Sequence, residues 1–120
     1  MTPRNASSNF AKVRFPDHQR IKRELATLAE QAVQHEPKIR AIYLFGSRAV
    51  GNFSARSDAD LLIIVQEDSN RPLDRIPHYL KLFQKAPVPV EVFPYTFAEI
   101  ENNAFARRAL QQGQLLSERH

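Results

Sequence analysis

Apolar positions recur along the chain with two periods, and the switches between them mark its elements. Ile21, Leu25, Leu28, Ala29, Ala32 and Val33 fall three or four apart, one face of an α-helix. Lys22, Arg23, Glu30 and Gln34 take the opposite face. Pro16-Asp17 reads as the helix start, with Asp17 as N-cap. Pro37 predicts a stop near His35-Glu36, because the residue before a proline avoids helical geometry. The period then shortens to two. Residues 39–45 predict a strand with Ile39, Ala41, Tyr43 and Phe45 on one face and Ile42 and Leu44 on the other. Gly46-Ser47 ends it in a tight turn, and 48–56 read as a loop opening with a short helical turn. Residues 60–65 predict a second strand. Asp60, Leu62 and Ile64 share one face; Ala59, Leu61, Ile63 and Val65 share the other. A strand apolar on both faces is interior.

Beyond a polar connection, residues 73–84 predict a helix with Ile76, Leu80 and Phe83 inward, and with Pro77 in its first turn or breaking it. Pro87 and Pro89 bracket an extended run, where Val88, Val90, Val92 and Phe93 predict a third strand with Glu91 in its middle. Thr96 and Glu99 form a capping box, opening a last helix that runs to Gln112 and stops at Gly113. Leu115-Leu116 is expected to pack back on the body. The order helix, strand, strand, helix, strand, helix implies an α+β fold. Its sheet is small and mixed or antiparallel, of three or slightly more strands, with helices on one face. Residues 16–116 form the single domain. Residues 1–15 are a flexible arm with Phe10, Val13 and Phe15 as docking points, and 117–120 are a tail.

Composition narrows the class. The 120 residues suit one domain. The net charge of +4 lies wholly in the first sixty positions. That surplus suits an anionic ligand such as a nucleotide, but no dense Lys/Arg run marks a nucleic-acid surface. With no cysteine there is no disulfide frame, thiolate metal site or Cys nucleophile. No apolar run approaches the ~20 residues of a membrane helix, and the start lacks the apolar stretch of a signal peptide. The expectation is a soluble cytoplasmic protein with no membrane contact.

The chemistry gathers at two strand ends. Residues i and i+2 of a strand point to one face, so Asp58 and Asp60 project together, roughly 7 Å apart at Cα. Two such carboxylates suit divalent metal, and Mg²⁺ takes hard oxygen ligands together with nucleotide phosphates. Gly46 lets the backbone approach a ligand, and Ser47 offers a hydroxyl and an N–H toward phosphate. For one site to use both pieces, the first two strands must run antiparallel. Two metals about 4 Å apart would clamp an in-line displacement. Glu91 is the one later strand carboxylate able to complete the set. Crowded together without metal, at least one of the three should hold its proton above the usual ~4. The three glycines exclude a P-loop or dinucleotide fingerprint. His18, His35, His78 and His120 show no ligand spacing, and Tyr43, Tyr79 and Tyr95 read as core or rim.

Gly46-Ser47-Arg48-Ala49-Val50-Gly51, six residues, then Asp58-Ala59-Asp60-Leu61-Leu62 resembles the signature of the DNA polymerase β-like nucleotidyltransferases, closest to the minimal nucleotidyltransferase branch. The likeness extends from Ile21 to Leu116, through Val90-Glu91-Val92 and Arg107-Arg108-Ala109-Leu110. It implies a nucleotidyltransferase fold and Mg²⁺-dependent transfer of a nucleoside monophosphate, AMP from ATP, onto a hydroxyl. By position, Gly46 and Ser47 hold the triphosphate; of the two arginines in the loop between the motif halves, Arg48 joins them in binding phosphate and Arg56 reads as a surface residue. Asp58 and Asp60 bind one or two Mg²⁺, and Glu91 stands for the third carboxylate that positions or deprotonates the acceptor. Relatives carry aspartate there. The branch pairs with HEPN-domain toxins as antitoxins that modify the partner, so a HEPN-type partner is implied; homo-oligomerisation is left open. The alternative is a non-catalytic nucleotide- and partner-binding subunit with a degenerate third carboxylate. A nucleic-acid module is a weaker third reading, since the chain shows no aromatic platform or helix-turn-helix pattern.

Overall fold

The computed structural model describes residues 5–50 and 58–120, with side chains from 18 to 49 and from 58 onward. Strand β2 (Ala59–Val65) is almost wholly buried and lies inside a four-stranded sheet. Strand β1 (Ile39–Phe45) pairs with it antiparallel, and β3 (Val90–Thr96) pairs with it parallel. Strand β4 (Gln114–Glu118) joins β1 antiparallel, giving the order β3-β2-β1-β4. The expected antiparallel meeting of the first two strands is present, with Phe45 opposite Asp60.

Helices cover both faces, where one covered face was expected. Helix α1 (Asn5–His35) lays Ile21, Leu25, Ala29, Ala32 and Val33 on Ile42, Leu44, Leu61 and Ile63. Tyr79 of α3 (Pro72–Leu80) and Phe83 of the 3₁₀ turn after it join that core. On the opposite face Ile100 of α4 (Phe97–Glu101), with Ala106 and Ala109 of α5 (Ala104–Gln112), packs on Ala41, Phe45, Leu62 and Ile64. The reason is in β2 itself: a strand apolar on both sides needs a layer over each.

Several local expectations change. The helical backbone of α1 runs back from Asp17 to Asn5; Ala6, Ala11, Lys12 and Arg14 favour helix, and Pro16 removes one donor without ending the ladder. The side chains of Phe10, Val13 and Phe15 lie outside the described residues. Ile39 sits on the α1 side with Ile42, not with Ala41, because the register shifts between Ile39 and Ala41 and a bulge reverses side-chain parity there. In α3, Pro72 occupies the first turn and Pro77 lies inside the helix. Leu80 is 39% exposed, while Arg75, Tyr79 and Phe83, spaced by four, turn inward. The capping box forms as expected: Thr96 N donates to Glu99 Oε1 (2.8 Å), and Glu99 N to Thr96 Oγ1 (3.2 Å). The helix it opens breaks at Asn102-Asn103. Asn103 caps a separate α5 through Ala106 N (3.0 Å), because Asn favours caps over helix interiors.

Gly113 does end α5, with an extended φ of −77°. Its need for glycine is steric, since a Cβ would meet Ala109 O at 2.6 Å. Ser117 and Glu118, expected to begin the 117–120 tail, instead complete strand β4, and Arg119 follows as an anchoring residue. Arg119 N donates to Arg40 O (2.8 Å), and its guanidinium donates to the carbonyls of Val33, Glu36 and Ile39. A cation thus closes the last turn of α1, where carbonyls lack partners.

Candidate active site

One row across the sheet carries the predicted carboxylates. Phe45, Asp60 and Glu91 are successive Cα partners on β1, β2 and β3, so their side chains share a face. Asp58 lies two residues before Asp60, just ahead of β2. Asp58 and Glu91 are exposed and Asp60 is half-buried. Ala59 N donates to Pro89 O (2.8 Å), which holds the starts of β2 and β3 level. Glu91 occupies an edge strand, as Pro87 and Pro89 suggested, yet it faces Asp60 across the ladder.

The charges interact. Burial pushes the Asp60 carboxyl above its ordinary value, and repulsion from Glu91 and then Asp58 adds to the shift. That is the crowding expected of three carboxylates on one face. The donor set is all carboxylate oxygen, the chemistry a hard divalent cation takes, and a cation would relieve the repulsion that adds to the effect of burial on Asp60. Among the described residues no group of three such side chains is already drawn to metal-binding distance.

The turn after β1 is built against the same carboxylate. Gly46 has φ +78°, and a Cβ there would lie 2.5 Å from Asp60 Oδ2. Glycine is required twice, for the left-handed backbone and for the approach of Asp60. Ser47 opens the helical turn α2 (Ser47–Val50), as the sequence suggested, and Ala49 N donates to Gly46 O (3.1 Å). Gln114 Nε2 donates to Ala49 O (2.7 Å), tying that turn to β4. Arg48 is 1% exposed. Its charge helps hold His18 of α1 below the ordinary histidine range, after burial and ahead of Lys22. Arg48 thus lies toward α1, on the covered side of the turn. Gly51, Arg56 and Ser57 lie outside the described residues. Tyr79 is core, as expected, with its hydroxyl pushed up to about 12 by burial and then by Glu36 and Asp68.

A family of domains described as "Polymerase beta, Nucleotidyltransferase" matches residues 28–120, which include the Gly46-Ser47 turn and all three carboxylates. The chain belongs to this nucleotidyltransferase family. No curated protein matches it. The nucleotidyltransferase resembles a provisionally named nucleotidyltransferase from Sulfolobus solfataricus, with TM-score 0.67 and 19% identity over 88% of this chain and 86% of the other. It also resembles a chain of a toxin-antitoxin structure with AMP-PNP, with TM-score 0.53 and 21% identity over 75% of this chain and 70% of the other. At these identities the likeness is one of fold.

The nucleotidyltransferase also contains a charged hub that the sequence pattern did not reveal. Arg75 is 2% exposed. Its Nη1 donates to Glu99 Oε1 (2.7 Å) and Pro94 O (3.0 Å), and its Nη2 to Glu99 Oε2 (2.9 Å) and Asp68 O (3.0 Å). Asp68 Oδ2 lies 3.8 Å from Nε. One side chain thereby joins α3, the end of β3, the loop after β2 and the start of α4. The available signal was the four-residue spacing Arg75, Tyr79, Phe83, which marks the inward stripe. Among the described residues no helix is long and apolar enough to cross a membrane.

Proposed function

We propose that this nucleotidyltransferase transfers AMP from ATP to an acceptor hydroxyl in a Mg²⁺-dependent reaction. The observation that carries the reading is the meeting of three carboxylates with the Gly46 turn: Asp60 feels Glu91 and Asp58 and packs where a Gly46 side chain would be. Asp58 and Asp60 would hold the metal, with Glu91 at the acceptor side. Bound there, Mg²⁺ neutralises phosphate charge. Gly46 and Ser47 present backbone and hydroxyl toward the triphosphate. Glu91 accepts the proton of the acceptor hydroxyl, whose oxygen forms a bond to the α-phosphorus. The bond from that phosphorus to the bridging oxygen breaks, and pyrophosphate leaves with the electron pair. Arg48, buried behind the turn, contributes positive potential from beneath it.

The acceptor belongs, in this reading, to a HEPN-type toxin that the chain neutralises as an antitoxin. The structural likeness to a toxin-antitoxin chain with AMP-PNP supports a partner and a nucleotide. The test is incubation with α-labelled ATP, Mg²⁺ and a lysate of the source cells, beside Asp58→Ala/Asp60→Ala. A labelled band that needs both aspartates is the expected result. The exposed position of Glu91 on an edge strand favours a second reading, a nucleotide- and partner-binding subunit without turnover. Calorimetric binding of Mg²⁺-ATP with no label transfer selects it.

A further inference from the structure

Beside the carboxylate row the same sheet face turns abruptly aromatic. Phe45 is the cross-strand partner of Asp60, and Phe93 follows Glu91 by two residues on one face. Their ring centroids lie 5.3 Å apart. Phe105, in the first turn of α5, stands over both, 5.7 Å from Phe45 and 5.4 Å from Phe93. The interplanar angles are 78° and 53°, so neither neighbour stacks flat against it. Phe105 is 50% exposed, whereas Phe45 beneath it is buried. A large ring left half-open at the rim of a polar site, on a rigid aromatic base, is a surface for a second planar group.

We infer that Phe105 is the nucleobase platform of the site: the base of the nucleoside triphosphate stacks on its ring while the phosphates lie along the Gly46-Ser47 turn. This rests on the nucleotidyltransfer reading. The placement follows from continuity, because Phe45 is joined directly to Gly46 and the Phe45–Phe93 pair borders the carboxylates. Stacking needs only a π-face, so the platform accepts every base. Removing such a ring weakens binding by roughly 5- to 150-fold. The specificity it gives is for a nucleotide over a bare polyphosphate, not for one base over another.

The test compares Mg²⁺-ATP, Mg²⁺-GTP and Mg²⁺-tripolyphosphate by calorimetry on wild type, Phe105→Leu and Phe105→Trp. Leucine keeps an apolar group on Phe45 and Phe93 but has no π-face. The chain has no tryptophan, so Phe105→Trp also supplies a single fluorophore. The expected result is that Phe105→Leu loses at least fivefold affinity for both nucleotides and none for tripolyphosphate. Phe105→Trp retains all three ligands, and its emission is quenched by the nucleotides alone. Unchanged nucleotide affinity in Phe105→Leu, or an equal loss for tripolyphosphate, overturns the platform. Wild-type protein that binds tripolyphosphate as tightly as ATP overturns it too and leaves the phosphate site standing. Failure to bind any of the three removes the functional reading itself, and the platform with it.

Discussion

Strands β2 and β3 carry charge at both ends, and the two ends treat it in opposite ways. At their start, Asp58, Asp60 and Glu91 face one another, and burial followed by the charges of Glu91 and Asp58 pushes Asp60 above its ordinary value. Beyond their far end, Asp68 and Glu99 meet the buried Arg75. Its hydrogen bond, followed by that of Thr96 N, holds Glu99 below its ordinary range even though burial opposes this. At one end burial and like charge act together on Asp60. The other is already neutralised and ties four segments together. The first end concentrates like charge, and the second holds the scaffold.

The largest expected effect is at the scaffold end. Arg75→Ala leaves Glu99 without its cation and the nearly buried Asp68 carboxylate with Lys38 alone, 3.9 Å away, and should cost about 3 kcal/mol in urea unfolding. Arg75→Lys should recover little of it, because an ammonium cannot reproduce the bidentate fork to Glu99. A loss under 1 kcal/mol in Arg75→Ala would show that the hub merely fills space.

Next comes the turn. Gly46→Ala places a methyl group on Asp60 Oδ2 at a left-handed backbone position. Displacement of the carboxylate by about 1 Å should lower label transfer roughly a hundredfold, with about 1–2 kcal/mol of stability lost to the backbone. Transfer that survives while stability falls would detach the turn from the chemistry.

The smallest effect is in pH dependence, and its sign differs between the ends. Asp60, raised in the fold, costs stability when charged; that cost vanishes as pH falls through its folded value. Metal-free Asp60→Asn should therefore melt above wild type at neutral pH, and the gap should close on acidification. Glu99, lowered in the fold, contributes stability above its unfolded value and loses it as pH falls through the lower folded one. Glu99→Gln should melt below wild type at neutral pH and converge with it in acid. Melting curves between pH 3 and 7 show both trends. Mg²⁺ should raise the wild-type midpoint at neutral pH and move Asp60→Asn much less.

What was legible in the sequence follows the same divide. Gly46 and Asp60 could be paired because both requirements are local: a turn residue at one strand end and alternating carboxylates at the next. Glu91 was legible as the one charge inside an apolar strand, and parallel register then places it beside Asp60. Arg75 was hidden because a hydrophobic pattern assigns charge to the surface, while burial of an arginine depends on acceptors 5 to 24 positions away. Ile39 was assigned to the wrong face because a bulge is a property of two strands together. Strand β4 was missed because five residues with one leucine exposed have no period of their own. The pairing with β1 creates that strand.

That last strand has a consequence for assembly. Ala41 pairs with Glu118 and Leu44 with Gln114, so β1 acquires its second neighbour from residues far along the chain. Until residues 114–118 arrive, one side of β1 offers unpaired backbone groups to any extended peptide nearby. Contacts of such long sequence separation slow folding. The interval before closure is when this protein is most exposed to misassociation.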